Sequence, residues 1–316
     1  MEIIDVTGLP PESPNQQVLA IGKFDGVHIG HQAIIDAAKS ELGTGLLSVM
    51  SFTPHPVYVL AKKEEYKRVL TPLSDKQRLL AQYGVDRLYL IHFSTEYAKT
   101  TAETFVFEHL HSLHLKRVVV GADFRFGQGG KADVSVLTDL CSRMGVPVTI
   151  VKQIEENGIK VSSSQIRSHL NAGRVEAAEA LLGRAYSISG QVINGDKLGR
   201  TIGFPTANLG NIDEYVLPKI GVYAVAVEVV EEHGNRGQNW FGVVNVGRRP
   251  TVNGRTTRVE AHLLGFRGDL YGKTLRLSFL RRIRDEQKFP GVAELKEQIH
   301  KDCEFARSVL GLNGVM

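Results

Sequence analysis

Two histidines three residues apart, His28 and His31, lie in the stretch IGKFDGVHIGHQ (residues 21–32), which Gly22, Gly26 and Gly30 punctuate. An apolar run, VLAIG, comes before them. HQAIIDAAKSEL, with helical spacing at Ile34, Ile35, Ala38 and Leu42, comes after. In a strand–loop–helix unit the loop delivers ligands to a helix N-terminus, where unpaired N–H groups and the dipole favour anions. Gly30 would let the backbone approach a phosphate that a Cβ would obstruct. Imidazole N–H groups at His28 and His31 could then donate to phosphate oxygens as charge builds on them. No nucleophile accompanies the pair, which suits adenylyl transfer without a covalent intermediate. Two other readings stay open, a metal-binding pair and a pair of plain turn residues. Against the metal, no third ligand is apparent and the glycine breaks the helix that would present both rings.

A second polar constellation is VSSSQIRSHL (161–170), where three hydroxyls precede a helix. One of Ser162, Ser163 and Ser164 can cap it while the others donate to a triphosphate. Arg167, one turn in, can reach the same phosphates as a planar fork. A plain N-cap with a solvated arginine is the alternative. Further on, GDKLGRTIGFPTAN (195–208) is a glycine-bearing loop that ends in a Pro-Thr-Ala-Asn turn. Thr206 and Asn208 carry hard oxygens of the kind magnesium accepts when it also holds ATP phosphates. Glu260 alternates with Val259 and Ala261 in TRVEAHLL, and an acid on the inward face of a barrel strand needs a reason.

The elements that must position these groups fall into two patterns. Up to Gly183, strand-like and helix-like segments alternate: VLAIG, the helix 31–42, GLLSVMSF, DKQRLLAQYG, DRLYLIHF, TAETFVFEHLHSLH, RVVVGADF, VLTDLCSRMG and PVTIV. That spacing argues for βαβ units and a parallel sheet buried on both faces. Two short glycine-ended helices fill 163–183. Beyond them, YSISGQVI, VYAVAVEVV, WFGVVNV, TRVEAHLL and TLRLSFL read as short antiparallel strands, which a closed barrel spares from exposed edges. Residues 291–310 read as a helix on that barrel. The boundary is expected at 184/185. A chain of 316 residues suits two domains, and a net charge of +4 without a basic block suits anionic small molecules better than nucleic acid. Only Cys141 and Cys303 are present, far apart and without a CxxC, which suggests neither a disulfide framework nor a thiolate zinc site. No signal-like h-region or apolar run of about 20 residues occurs, so the expected setting is the cytoplasm, with no membrane partner.

IGKFDGVHIGHQ, LTPLSDKQRLLAQYGVD, VVVGADFRFG and SSSQIR resemble the nucleotidyltransferase module of the bacterial bifunctional riboflavin kinase/FMN adenylyltransferase family. GDKLGRTIGFPTANL, GVYAV, GVVNVGRRPT and VEAHLLGFRGDLYGK resemble its riboflavin kinase module, and the similarity runs through nearly the whole chain in family order. It implies an α/β Rossmann-like nucleotidyltransferase domain (1–184), then an antiparallel β-barrel kinase domain with a C-terminal helix (185–316). Implied with it are riboflavin, FMN and ATP as substrates, Mg2+ as cofactor and FAD as product. By the same resemblance His28, His31 and Arg167 serve adenylyl transfer. Phe24, Asp25, Gly26, Gly30 and the serines 162–164 line the nucleotide cleft, and Asp123 and Phe124 contact flavin. Gly195, Lys197 and Gly203 belong to a loop over the kinase's ATP, Thr206 and Asn208 hold its metal, and Glu260 is the general base for the riboflavin 5′-hydroxyl. SSSQIR differs from the family's usual two serines and a threonine but keeps the hydroxyl at Ser164. QGGKAD (128–133) and Asn194 depart further from the family pattern and are given no role.

HIGH (28–31) also resembles the signature of class I aminoacyl-tRNA synthetases, but no KMSKS-like loop and no basic face interleaved with aromatics accompanies it. A catalytically silent flavin-binding regulator is a second rival. The retention of Glu260, Thr206, Asn208 and both histidines argues against it.

Overall fold

The computed structural model describes residues 1–156, 158–195, 199, 202–230, 238–251 and 254–311. It divides by packing into two compact units, Met1–Ser163 and Ser164–Met316.

The first unit is built on β1 (Glu2–Val6), β2 (Gln17–Ile21), β3 (Leu46–Thr53), β4 (Arg87–His92), β5 (Leu115–Gly121) and β6 (Val148–Val151). They form one sheet of order β1-β4-β3-β2-β5-β6, parallel at every pairing. Its helices are α1 (Ile29–Ser40), α2 (Pro56–Ala61), α3 (Leu73–Gln82), α4 (Ala102–Thr104, running on as a π-helical turn over Phe105–Leu110) and α5 (Val134–Ser142). Strand residues alternate faces. Val18 and Ala20 of β2 therefore pack with Ile35, Ala38, Leu79 and Leu80 of α1 and α3. Leu19 and Ile21 pack on the opposite face with Phe105, Leu110, Leu137 and Leu140. Helices on both faces explain why the central strands read as unbroken apolar runs.

Three elements escaped the sequence reading. β1 is an edge strand whose Glu2, Ile3 and Asp5 are exposed, so it shows no continuous apolar run. α2 and the hairpin β7 (Glu155–Glu156) to β8 (Ile159–Lys160) are too short to show a period. The sheet order reverses at β2, which has β3 on one side and β5 on the other. In open α/β sheets the ligand crevice lies at that reversal, at the carboxyl ends of the strands. The loop after β2 is KFDGVH and the turn after β5 is ADFRFG, so topology alone sets these two segments side by side.

The second unit holds α6 (Ser163–Asn171), α7 (Val175–Leu182), six strands and α8 (Val292–Val309). The strands are β9 (Tyr186–Ile193), β10 (Ala207–Gly210), β11 (Gly221–Val230), β12 (Asn239–Thr251), β13 (Gly254–Leu263) and β14 (Thr274–Arg284). They close into a barrel of order β10-β13-β12-β11-β14-β9, with β9 bonded to both β10 and β14. Tyr186, Ile188, Tyr223, Val225, Val244, Val259, Leu277 and Phe279 are buried. α8 lies on the outer wall, with Cys303 and Ala306 against Val222, Ala224 and Val243. Arg284 grips the buried Asp302 of α8 with Nε at 2.9 Å and Nη2 at 2.7 Å. α6 and α7 are tied to the barrel through Lys219 N–H to the Leu170 carbonyl (2.8 Å) and the Arg281–Glu176 pair (3.2 Å). The division by packing thus falls two helices before the change of sequence pattern at 184/185. β10 corrects one expectation: Ala207 and Asn208 belong to a strand, because barrel closure recruits them, and not to a turn.

Candidate active sites

The loop that leaves β2 is tightly wound. Phe24 and Val27 adopt left-handed backbone, φ 49° and 41°, with both side chains fully buried. For residues with a Cβ this costs on the order of 1–3 kcal/mol each and persists only where the surroundings over-determine it. The surroundings here are specific. The buried carboxylate of Asp25 accepts the N–H groups of Leu70 (2.7 Å) and Thr71 (3.3 Å), and Gly26 N–H donates to Thr71 Oγ1 at 2.9 Å. Lys76 of α3 donates from Nζ to the Lys23 carbonyl (3.0 Å) and to Ser51 Oγ (3.3 Å), and Ser51 donates to the same carbonyl (2.9 Å). Lys76 is only 8% exposed; burial lowers its pKa from the ordinary lysine value, and the nearby Asp25 charge opposes the shift. Phe24 is packed into the core, and Asp25 is held by the 70–71 segment.

Above this loop stand the histidines. His28 is the N-cap of α1: its Nδ1 accepts from His31 N–H at 3.3 Å, which leaves the ring proton on Nε2 as its donor. The two imidazoles are stacked, 3.7 Å between centroids and 18° apart, and Phe24 leans on His31 at 5.0 Å. Gly30 has a reason other than the one expected from sequence. A Cβ there would lie 3.2 Å from Cε1 and Nδ1 of His28, so the glycine makes room for the capping ring.

In the turn after β5, Asp123 pairs with Lys160 at 2.6 Å and Phe124 stacks on Phe126 at 5.7 Å. A Cβ at Gly121 would meet both Asp123 and Ile34, so this turn lies against the helix that His28 caps. Ser162 precedes α6, and Ser163 at its start donates from its hydroxyl to the Asp25 carbonyl of the β2 loop at 2.8 Å. Ser164 and Arg167 belong to the second unit, and Arg167 is nearly buried.

In the barrel, Val259 and Ala261 point inward and are fully buried, so Arg258, Glu260 and His262 occupy the outer face. This corrects the expectation of an inward-facing acid: strand alternation puts the carboxylate outside, 24% exposed. Glu260 lies directly opposite Asn208 of β10 and Asn245 of β12. Arg258 bridges the group, donating from Nε to Asn208 Oδ1 at 2.6 Å and pairing with the Glu260 carboxylate. Asn245 Oδ1 is buried with no hydrogen-bond partner among the described residues. The imidazole of His262 meets the Pro205 carbonyl at 2.9 Å and the Phe204 ring edge-on at 5.3 Å, fixing the segment that carries Thr206. Burial favours its neutral form. Gly195 lies so close to the Asn208 amide that a Cβ would overlap it, and a Cβ at Gly199 would come within 3.2 Å of Thr206 Oγ1. Gly195 and Gly199 therefore rest directly on Asn208 and Thr206. Gly203 stands in an open turn, and Lys197 lies outside the described residues. Sequence reasoning missed Thr71, Lys76, Arg258 and His262. Arg258, two residues before Glu260 on the same strand face, was the one with a readable signal.

The FAD synthetase family matches residues 10–165 and the riboflavin kinase family residues 182–310. The bifunctional riboflavin kinase/FMN adenylyltransferases of Bacillus subtilis (strain 168) and Escherichia coli (strain K12) are 41% and 40% identical to this chain. In each case 93% of both chains is covered. The chain belongs to the bifunctional riboflavin kinase/FMN adenylyltransferase family. It phosphorylates riboflavin to FMN with ATP, then adenylylates FMN with ATP to give FAD and pyrophosphate. The expected Rossmann-like sheet, closed barrel and C-terminal helix are those of this bifunctional enzyme. A solved structure described as a macrolide-efflux protein from Streptococcus pneumoniae matches with a TM-score of 0.89 and 32% identity, covering 97% of this chain and 99% of that one. Among the described residues no helix is long and apolar enough to cross a membrane.

Proposed function

We propose that riboflavin is phosphorylated on the outer barrel face around Glu260 and Asn208, and that FMN is adenylylated at the N-terminus of α1 around His28 and His31. The modules are bounded at 184/185. One observation carries the kinase assignment: Glu260 stands directly across from Asn208, and one cation, Arg258, bridges both. Glu260 accepts the proton of the riboflavin 5′-hydroxyl as that oxygen attacks the γ-phosphorus. Thr206 Oγ1 and Asn208 Oδ1 suit Mg2+. Both are neutral hard oxygens, the glycine loop leaves no room for a Cβ beside them, and the Asn208 oxygen already draws a cationic donor. Among the described residues no group of three or more His, Cys, Asp or Glu could hold a metal, which fits an ion shared with nucleotide phosphates. Bound Mg2+ would neutralise charge on the transferred phosphoryl group. The family resemblance gives Gly195, Lys197 and Gly203 to the loop over the ATP.

Adenylyl transfer needs no base, because the attacking FMN phosphate is already an anion; it needs charge neutralisation and in-line positioning. His28 through Nε2–H and His31 supply both at the α-phosphate. The family resemblance gives Ser162, Ser163, Ser164 and Arg167 the triphosphate, and Asp123 and Phe124 the flavin. The enzyme acts on these small molecules in the cytoplasm, with no nucleic-acid or membrane partner. Chromatography of flavins formed from riboflavin and ATP, with Mg2+ or with a chelator, tests the metal assignment. FMN should appear only with the divalent ion, and undiminished FMN in chelator would remove Thr206 and Asn208 from the reaction.

A further inference from the structure

The segment LTPLSDK, residues 70–76, carries none of the chemistry assigned above, yet three of its members reach the loop that bears the histidines. Leu70 and Thr71 offer their N–H groups to Asp25, Thr71 Oγ1 takes the N–H of Gly26, and Lys76 Nζ holds the Lys23 carbonyl. Every residue from Lys23 to Gly26 except Phe24 is thus held from this segment, and Phe24 is locked by the core. The loop it clamps contains two left-handed residues with side chains, Phe24 and Val27, and ends at the capping imidazole of His28. A left-handed valine relaxes to ordinary backbone unless it is held, and relaxation at Val27 would swing His28 off the helix end. A buried lysine is a costly way to satisfy one carbonyl and one hydroxyl, since burial alone penalises its charge. Its place opposite Asp25 and under the strained turn gives that expense a purpose.

We infer that Lys76 and Thr71 are positioning residues for adenylyl transfer: they hold the 23–27 loop so that the stacked His28–His31 pair meets the α-phosphate in line. The inference rests on the placing of FMN adenylylation at those histidines. Misplacing a catalytic group by about 1 Å can cost on the order of 10²-fold in rate.

The test uses the full-length enzyme, assayed separately for FMN to FAD and for riboflavin to FMN. Lys76→Met removes the ammonium at nearly constant volume. It should lower kcat for FAD formation about 10²-fold while KM for ATP and FMN stays within about threefold, the split expected when only transition-state alignment is lost. Thr71→Val, which keeps the N–H to Asp25 and removes only the acceptor for Gly26, should show the same split at about tenfold. Riboflavin phosphorylation should be unchanged in both, and thermal unfolding should stay cooperative above the assay temperature. A purely structural lysine is separated from a positioning one by the double variant. If Lys76 acts through the histidines, Lys76→Met should cost less than about threefold more in a His31→Ala background, because groups that act as a unit are not additive. Parent kcat in both single variants overturns the inference, as does a fully multiplicative loss in the double variant. Should Lys76→Met fail to fold, Thr71→Val decides alone. Parent activity in His31→Ala by itself has a different meaning: it would displace the adenylylation site, and the inference with it.

Discussion

Glu260→Gln sets the two reactions of one chain against each other. The substitution keeps the size and polarity of the side chain and removes the proton acceptor. Its structural cost follows from the surroundings. Glu260 is 24% exposed and its partner Arg258 23%, and Arg258 keeps its bond to Asn208 Oδ1 whichever residue stands at 260. An ion pair at this exposure becomes a hydrogen bond from the guanidinium to a neutral amide, a loss of about 1 kcal/mol against a domain stability of roughly 5–15 kcal/mol. That corresponds to a fall in Tm of about 2–4 °C for a unit of this size. The catalytic cost is far larger. General-base assistance is worth about 10²–10⁴-fold, or roughly 3–5 kcal/mol in the barrier, and the variant forfeits it for the 5′-hydroxyl. The adenylylation centre has no use for a base and should be untouched. Given riboflavin, the variant should make almost no FMN or FAD; given FMN, it should make FAD at the parent rate. Chromatography of flavin products from the two starting compounds reads both numbers from one preparation. Equal loss from both flavins would mean that Glu260 supports the fold, and no loss from either would make it a solvated strand residue; each refutes the reasoning.

His31→Ala should reduce FAD formation from FMN by on the order of 10²–10³ while riboflavin phosphorylation continues, measured by the same chromatography; parent-rate FAD would leave the stacked pair as a turn device. A fragment from Ser164 to the C-terminus should fold and phosphorylate riboflavin. One from Tyr186 should unfold at a lower temperature, having lost the Leu170–Lys219 hydrogen bond and the Glu176–Arg281 pair. Equal stability by circular dichroism would show that α6 and α7 contribute nothing to the barrel.

The amino-acid sequence by itself determined the architecture class and the chemistry. Apolar runs alternating with helical periods dictate a parallel sheet covered on both faces, because a strand buried twice has no polar side to show, as Val18 through Ile21 illustrate. The switch to short strands after Gly183 called for a barrel, and the barrel is closed. His28, His31, Thr206, Asn208 and Glu260 were legible as residues able to do phosphate chemistry. What they face was not. Strand periodicity says that Glu260 opposes Val259 and Ala261 but not which side is the core, and the sheet's closure decided that it faces outward. Asn208 looked like part of a turn because its strand, β10, is only four residues long and exists through pairing with β9 and β13. Gly30 looked like space for a phosphate, and only the packed ring of His28 gave its local reason. The braces from Thr71 and Lys76 lie 45 or more residues from the atoms they hold in the 23–27 loop. Contacts at that separation leave no period in a sequence, because only the folded sheet, by placing β2 beside β3 with α3 against them, brings the donors and acceptors within hydrogen-bonding distance.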